Sequence, residues 1–219
     1  MRISYTKDPN MKGVPKDIAN QPVVIKVGDI TEASAKEFSV SMTEAYNTGQ
    51  EVIPIIIDSF GGCVYALLSI LSDIESSRLP VATICKGKAM SAGAVLLAHG
   101  TPGLRFGDPN ATVMIHEVSS FGWGKLTELR ASMEEVDRLN YIILAKMAAA
   151  CGHKDLAYFP KLMEKKKNAD WYMDIFEAKK HKIIDNIGVP EFHVELKEEI
   201  KFIFEKPELV DVNKKIKDN

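Results

Sequence analysis

Ser91 is the residue whose surroundings most clearly suggest chemistry. It lies in the octad GKAMSAGA at residues 87–94, directly after an apolar run at 81–85. An apolar run that breaks at a glycine and continues into an Ala/Leu-rich segment at 92–98 predicts a strand-to-helix turn. Backbone N–H groups in the first turn of such a helix would stabilise an anion forming beside the serine oxygen. The residues alone also allow a structural role, in which Ser91 is a small residue that permits tight helix packing.

Two further segments carry candidate functional groups. Gly61 and Gly62 follow the apolar run 52–57, which is typical of a buried parallel strand. This glycine pair either leaves an N–H open to a ligand or only forms a tight turn. His116 ends the apolar run 113–116. A histidine there is a candidate general base, because imidazole titrates near neutrality, or else a structural hydrogen-bonding residue.

Taken together, these segments resemble the ClpP family, the proteolytic subunits of Clp serine proteases. That family has a Ser-Pro-Gly-Gly turn, a Gly-x-x-x-Ser-x-Gly-Ala segment and a Met-Ile-His segment in this order. The intervals of 29 residues from Gly62 to Ser91 and 25 residues from Ser91 to His116 match its pattern. Phe60 replaces the family's proline. The resemblance covers about residues 23–189.

The resemblance implies a role for each matching residue. Ser91 would be the nucleophile, His116 the general base and Asp170 the orienting acid, with the backbone N–H groups of Gly62 and Ala92 forming the oxyanion hole. It implies no cofactor and no metal.

The aspartate matches the family pattern less closely than the serine and the histidine. The segment 170–178 fits the family motif, but Lys182 stands where the family has glycine, and the interval of 54 residues from His116 to Asp170 is longer than in the family. Asp174 therefore remains a rival.

The elements that must position these residues alternate between strands and helices. Such alternation predicts a parallel sheet with helices packed around it. The resemblance makes this an α/β fold of repeated ββα units, as in the ClpP and crotonase superfamily, with a protruding long handle helix. The predicted strands cover residues 23–27, 52–57, 81–85, 105–107 and 113–116. The predicted helices cover residues 31–48, 64–76, 92–98 and 127–150.

The helix at 127–150 has apolar residues at steps of 3, 4 and 7, including Met133, Val136 and Ile143. By resemblance it is the handle helix that stacks two rings; otherwise it is an amphipathic helix that packs on its own domain. The preceding segment 119–124 is either a surface loop or an extended edge that receives a peptide strand.

Composition narrows the class of protein. The 219 residues fit one domain, or one domain with a small appendage. We expect an irregular N-terminal arm at 1–21, a ClpP-like protease domain at 22–190 and a charged C-terminal extension at 191–219. A net charge of −2 gives no general attraction to nucleic acid or anionic membrane. No apolar stretch is long enough to span a membrane, and the first residues lack the apolar core of a signal peptide.

The chain has three cysteines, which lack the spacing of metal ligands: Cys63, Cys85 and Cys151. Free thiols in a reducing compartment predict a cytoplasmic protein.

The expected function is that of a serine endopeptidase in a self-compartmentalised homo-oligomer, with heptameric rings that stack in pairs. Its substrates would be peptides or unfolded proteins. An AAA+ unfoldase is a candidate partner, although the N-terminal arm lacks the family's axial-loop segment. The chain has no Walker motif, so ATP dependence would come from a partner. Two alternatives stay open: a crotonase-type acyl-CoA enzyme, and a non-catalytic ClpP-like ring or scaffold subunit.

Overall fold

The computed structural model describes residues 2–6, 21–119, 123–167 and 169–197. The strands are β1 Arg2–Thr6, β2 Ile25–Val27, β3 Ile53–Ser59, β4 Val81–Met90, β5 Arg105–Gly107, β6 Thr112–Ile115, β7 Trp171–Asp174, β8 Asn186–Ile187 and β9 His193–Lys197. The helices are α1 Glu32–Asn47, α2 Val64–Glu75, α3 Ala92–Ala98, α4 Leu126–Ala150, α5 Tyr158–Lys165 and α6 Ile175–Lys180.

A seven-stranded sheet organises the molecule. Strands β2, β3, β4, β5 and β8 follow one another in parallel. The long strand β4 pairs with β5 through Thr83–Cys85 and then with β6 through Lys88–Met90, again in parallel. Strand β7 adds to β6 in antiparallel orientation. The predicted α/β fold with a largely parallel sheet is therefore confirmed.

Apolar residues explain why these segments form the centre of the fold. Ile53, Ile55 and Ile57 of β3 are completely buried, because a parallel strand is covered on both faces. Helix α3 is buried along its whole length. Helix α1 begins with a capping box between Thr31 and Ser34, which satisfies N–H groups that have no partner inside the helix.

The N-terminal arm differs from the prediction. Residues 2–6 form β1, which pairs in parallel with β9 at the far end of the sequence, instead of being irregular. Ile3 and Tyr5 alternate with polar residues, a pattern that suits a strand. The local sequence could not reveal a pairing partner 191 residues away. The rest of the predicted arm, and most of the predicted C-terminal extension, lie outside the described residues.

Helix α4 is confirmed at almost the predicted bounds, but its two halves differ. Its buried residues all lie in the C-terminal half: Leu139, Ile143, Leu144, Met147 and Ala148. In the N-terminal half, Leu126 is 64% and Met133 67% exposed. Only the second half of α4 therefore packs on its own domain, as one of the two alternatives expected. Within the described part of the chain, no helix has both the length and the apolar character needed to cross a membrane.

Candidate active site

Ser91 occupies a sharp turn between β4 and α3. Its φ of 54° is in the left-handed region, which a non-glycine residue enters at a cost. Its N–H is hydrogen-bonded to Met114 O of β6 at 2.8 Å, which holds the turn against the sheet. Ser91 is the residue before the first helical residue, yet its hydroxyl does not cap α3. The hydroxyl is thus directed away from the helix end and toward the neighbouring strand.

Gly61 makes room for this turn. A Cβ added to Gly61 would lie 2.7 Å from Ser91 Cβ and 2.9 Å from Met90 O. No side chain fits at that separation, and the φ of Gly61, +104°, also favours glycine. The glycine pair after β3 is therefore required for the close approach of the two segments.

His116 lies next to Ser91. Its Nε2 is 2.7 Å from Ser91 Oγ, which is hydrogen-bond distance. The parallel register of Met90 with Met114 brings the ends of β4 and β6 side by side, so that the residues just beyond them meet. The side chain of His116 is 24% exposed, open enough for a substrate to reach it.

Asp170 lies on the other side of the imidazole. The antiparallel pairing of Ile115 with Trp171 places Asp170 opposite His116. The distance from Asp170 Oδ1 to His116 Nδ1 is 3.8 Å, too long for a hydrogen bond but within ion-pair range. The carboxylate is 53% exposed. The structure thus brings together the three side chains selected from the sequence.

The rival carboxylate has a different role. Asp174 is the N-cap residue of α6, and its Oδ1 accepts a hydrogen bond from the N–H of Glu177 at 2.7 Å. Such a contact satisfies a backbone group that would otherwise lack a partner at the helix start. Asp174 is therefore engaged in capping a helix.

Gly62 and Ala92 both line the space beside Ser91. Ile30 donates to Gly61 O and accepts from Cys63 N, at 2.9 and 2.8 Å. Gly62, lying between them, is the bridge partner of Ile30, so its own N–H points away from Ile30. The N–H of Ala92 is in the first turn of α3, where intrahelical acceptors are lacking. Both groups suit an oxyanion.

A small pocket of about 60 Å³ opens beside the serine. Its walls are mostly apolar and come from the glycine turn, α2, α3, α4 and the segment after β6: Gly62, Val64, Leu67, Ser91, Ala92, Val95, Ile115, His116, Val118, Ser119, Asn140, Ile143 and Leu144. Larger clefts of about 520 Å³ continue between Val118–Ser119 and the exposed half of α4. This arrangement offers an extended chain a groove that leads to Ser91.

Asn140 helps to form the wall of the candidate active site, and the sequence alone did not point to it. Its Oδ1 accepts a hydrogen bond from the N–H of Val118 at 3.1 Å, which ties α4 to the segment after His116. An asparagine in a long amphipathic helix gives no local signal of such a contact. Only the packing of α4 across the groove reveals it.

The two buried cysteines do not compete with Ser91 as nucleophiles. Burial raises the pKa of Cys85 and of Cys151 to about 12, so neither forms a thiolate at neutral pH. Cys63 is exposed, and its sulfur lies 3.8 Å from Glu32 Oε1. All three thiols are free. No group of three or more potential metal ligands occurs among the described residues.

The fold and site define a class of protein: a parallel-sheet α/β protein with an aligned serine, histidine and carboxylate beside a glycine turn. The family described as Clp protease matches residues 8–191, and the chain belongs to this family. The resemblance noted in the sequence is thereby confirmed, including the ClpP-like fold.

Three curated relatives are similar over part of their length. Identity is 35% over 136 residues with ATP-dependent Clp protease proteolytic subunit 1 of Rhodococcus jostii (strain RHA1). It is 36% over 137 residues with proteolytic subunit 3 of Nocardia farcinica (strain IFM 10152). It is 33% over 135 residues with proteolytic subunit 2 of Frankia casuarinae. Each alignment covers 62% of this chain and 60% of the relative.

Proposed function

We propose that this chain is a serine endopeptidase that cleaves peptide bonds with Ser91, His116 and Asp170. The observation that carries the proposal is the 2.7 Å separation between Ser91 Oγ and His116 Nε2, at the mouth of a pocket. A nucleophile within hydrogen-bond reach of a base, with a carboxylate behind the base, is the arrangement that acyl transfer requires.

The proposed reaction has two halves. His116 Nε2 accepts the Ser91 proton as Oγ attacks the carbonyl carbon, and then gives that proton to the leaving amine as the C–N bond breaks. Water, deprotonated by the same nitrogen, hydrolyses the resulting ester and restores the serine. No cofactor enters either half.

Asp170 and the two backbone N–H groups have supporting roles. Asp170 accepts from His116 Nδ1–H and stabilises the imidazolium, which requires the 3.8 Å separation to shorten when substrate binds. The N–H groups of Gly62 and Ala92 stabilise the oxyanion, and one such donor typically contributes about 2.7–4 kcal/mol.

Assembly into rings is part of the same proposal. An open groove beside Ser91 would expose folded proteins to cleavage, and a closed cyclic assembly restricts access by geometry. We expect homo-oligomeric rings of seven subunits, stacked in pairs through the exposed half of α4, with unfolded protein as substrate. The relatives are named as subunits of an ATP-dependent protease, which supports an AAA+ unfoldase partner. The free thiols favour the cytoplasm.

A fluorophosphonate probe tests the nucleophile. The native chain should become labelled at Ser91 and should hydrolyse peptides, whereas Ser91→Ala should do neither. Labelling of both proteins at another residue would overturn the assignment. A folded chain without labelling or hydrolysis would instead favour a non-catalytic subunit. Acyl-CoA turnover that persists in Ser91→Ala would favour the crotonase alternative.

A further inference from the structure

Within the part of the chain that the structure describes, few contacts hold the Asp170 carboxylate. Among the residues that the structure describes, no N–H or O–H group donates a hydrogen bond to it, and the nearest polar partner is His116 Nδ1 at 3.8 Å. The carboxylate is also half exposed. The position of Asp170 therefore depends on the backbone to which it is attached.

The next residue, Trp171, fixes that backbone. Its side chain is 3% exposed, and its indole N–H donates to Glu177 Oε1 at 3.1 Å. The Lys166 ammonium lies 4.6 Å from the centre of the ring. An aromatic side chain held by burial, a hydrogen bond and a cation has few other orientations open to it.

A second set of aromatic contacts supports the indole. The His181 ring meets Trp171 edge-on, with 4.7 Å between ring centres, and its Nδ1 is hydrogen-bonded to the Tyr158 hydroxyl at 2.8 Å. Tyr158 stacks on His153 at 3.7 Å, and His153 Nε2 donates to His181 O at 3.0 Å. These contacts connect Trp171 to α5 and to the residues that follow α4 and α6.

We propose that Trp171, held by its hydrogen bond to Glu177, is the positioning residue that keeps the Asp170 carboxylate beside His116. This inference rests on the proposed peptidase function. Trp171 is paired with Ile115, the residue before His116, so any shift of the indole displaces the carboxylate relative to the imidazole. A displacement of about 1 Å in a catalytic arrangement can cost about 100-fold in rate.

Two substitutions at Glu177 test the hydrogen bond. Glu177→Gln keeps an oxygen acceptor for the indole N–H, whereas Glu177→Leu removes it. For hydrolysis of a fluorogenic peptide, Glu177→Leu should lower kcat by roughly 10- to 100-fold with KM within about twofold. Glu177→Gln should restore kcat to within a few-fold of the native chain. Trp171→Phe, which lacks the N–H, should behave like Glu177→Leu.

The same changes in an Asp170→Asn background separate positioning from general damage. If Trp171 acts through Asp170, neither Glu177→Leu nor Trp171→Phe should reduce the residual kcat any further there, measured at high enzyme concentration. Glu44→Ala, at an exposed position on α1, is the control and should leave kcat unchanged. Thermal unfolding of each variant checks that it is folded, and the Glu177 pair decides the question if Trp171→Phe unfolds.

The possible failures are distinguishable. Equal losses in the native and Asp170→Asn backgrounds would overturn the inference, as would a native kcat in Glu177→Leu or an equal loss in Glu177→Gln. Each of these leaves Ser91-dependent hydrolysis intact, and with it the proposed function. Absence of Ser91-dependent hydrolysis in the folded native chain would overturn the proposed function and this inference with it.

Discussion

At the scale of single residues, Asp170 and Asp174 have different surroundings and therefore different roles. Asp170 faces the imidazole of His116, whereas Asp174, one strand-length further on, caps α6. Both residues are carboxylates in the same segment, so their chemistry is identical and only their position differs. Side chains four residues apart in a strand point to the same face, so the register with β6 is what selects the residue that meets His116.

This difference predicts opposite results for two matched substitutions. Asp170→Asn should lower kcat by several orders of magnitude, because the amide favours the wrong imidazole tautomer; in a well-studied triad the loss is about 10⁴-fold. Asp174→Asn should leave kcat within a few-fold of native, since asparagine caps a helix about as well as aspartate. Peptide hydrolysis measures both. A severe loss in Asp174→Asn with a mild one in Asp170→Asn would reverse the assignment.

At the scale of elements, a buried ion pair joins the ends of two helices to the sheet. Arg105 of β5 is 4% exposed, and its guanidinium donates to both carboxylate oxygens of Asp185 at 2.8 and 2.6 Å. The same group donates to Ala98 O of α3 and Ala150 O of α4 at 3.3 and 3.1 Å. One cation thus satisfies a C-terminal carbonyl group of α3 and one of α4, two of the three helices that line the active-site pocket.

Removing one partner should be costly. Asp185→Ala leaves the Arg105 charge buried without its counter-ion, so the free energy of unfolding should fall by about 3–5 kcal/mol. The control is Lys161→Ala, which breaks the exposed pair with Asp155 and should cause no measurable change. Urea unfolding measures both variants. An equal effect of the two would show that burial does not set the strength of the Arg105 pair.

At the scale of the whole molecule, the exposed half of α4 provides a test of assembly. Met133 is 67% exposed in the single chain, so Met133→Glu should change its free energy of unfolding by no more than about 0.5 kcal/mol. If rings stack through α4, light scattering should show a shift from double to single rings. Val40→Glu, at an exposed apolar position on α1, is the comparison. A native chain that is monomeric and fully active at every concentration would exclude the ring.

Stability of the whole molecule should also depend on pH through a buried histidine. Burial lowers the pKa of His99 below its ordinary value of 6.5, and its side chain is 5% exposed. Above pH 6.5 the imidazole is neutral in both states. Below it the unfolded chain takes up a proton that the folded chain resists, so the free energy of unfolding falls by up to about 1.4 kcal/mol per pH unit.

Urea unfolding at pH 7.5 and 5.5 measures this loss. His99→Asn keeps a donor for Val95 O, which His99 Nδ1 contacts at 2.7 Å, but cannot become charged, so the difference between the two pH values should shrink. Burial also lowers the pKa of His181. His181 should therefore account for part of the pH dependence of unfolding that remains in His99→Asn. If the free energy of unfolding differs between pH 7.5 and 5.5 as much in His99→Asn as in the native chain, other groups cause the loss of stability at low pH.

The sequence by itself determined the family, the parallel sheet and the identities of Ser91 and His116 as candidates. The family came from the resemblance of the motifs around Gly62, Ser91 and His116, and the sheet came from apolar runs, which act over short stretches of chain. Burial of β3 and the turn at Gly61 follow from the same local signals.

Only the tertiary structure showed that Asp170 faces His116 while Asp174 caps α6, left half of α4 exposed, paired β1 with β9, and brought Asn140 and Trp171 to the site. Each of these depends on which distant segment supplies the partner. A carboxylate, an indole or a helix face has the same chemistry wherever it lies in the chain. What it contacts is set by strand register and helix packing across long sequence separations, which no local pattern encodes.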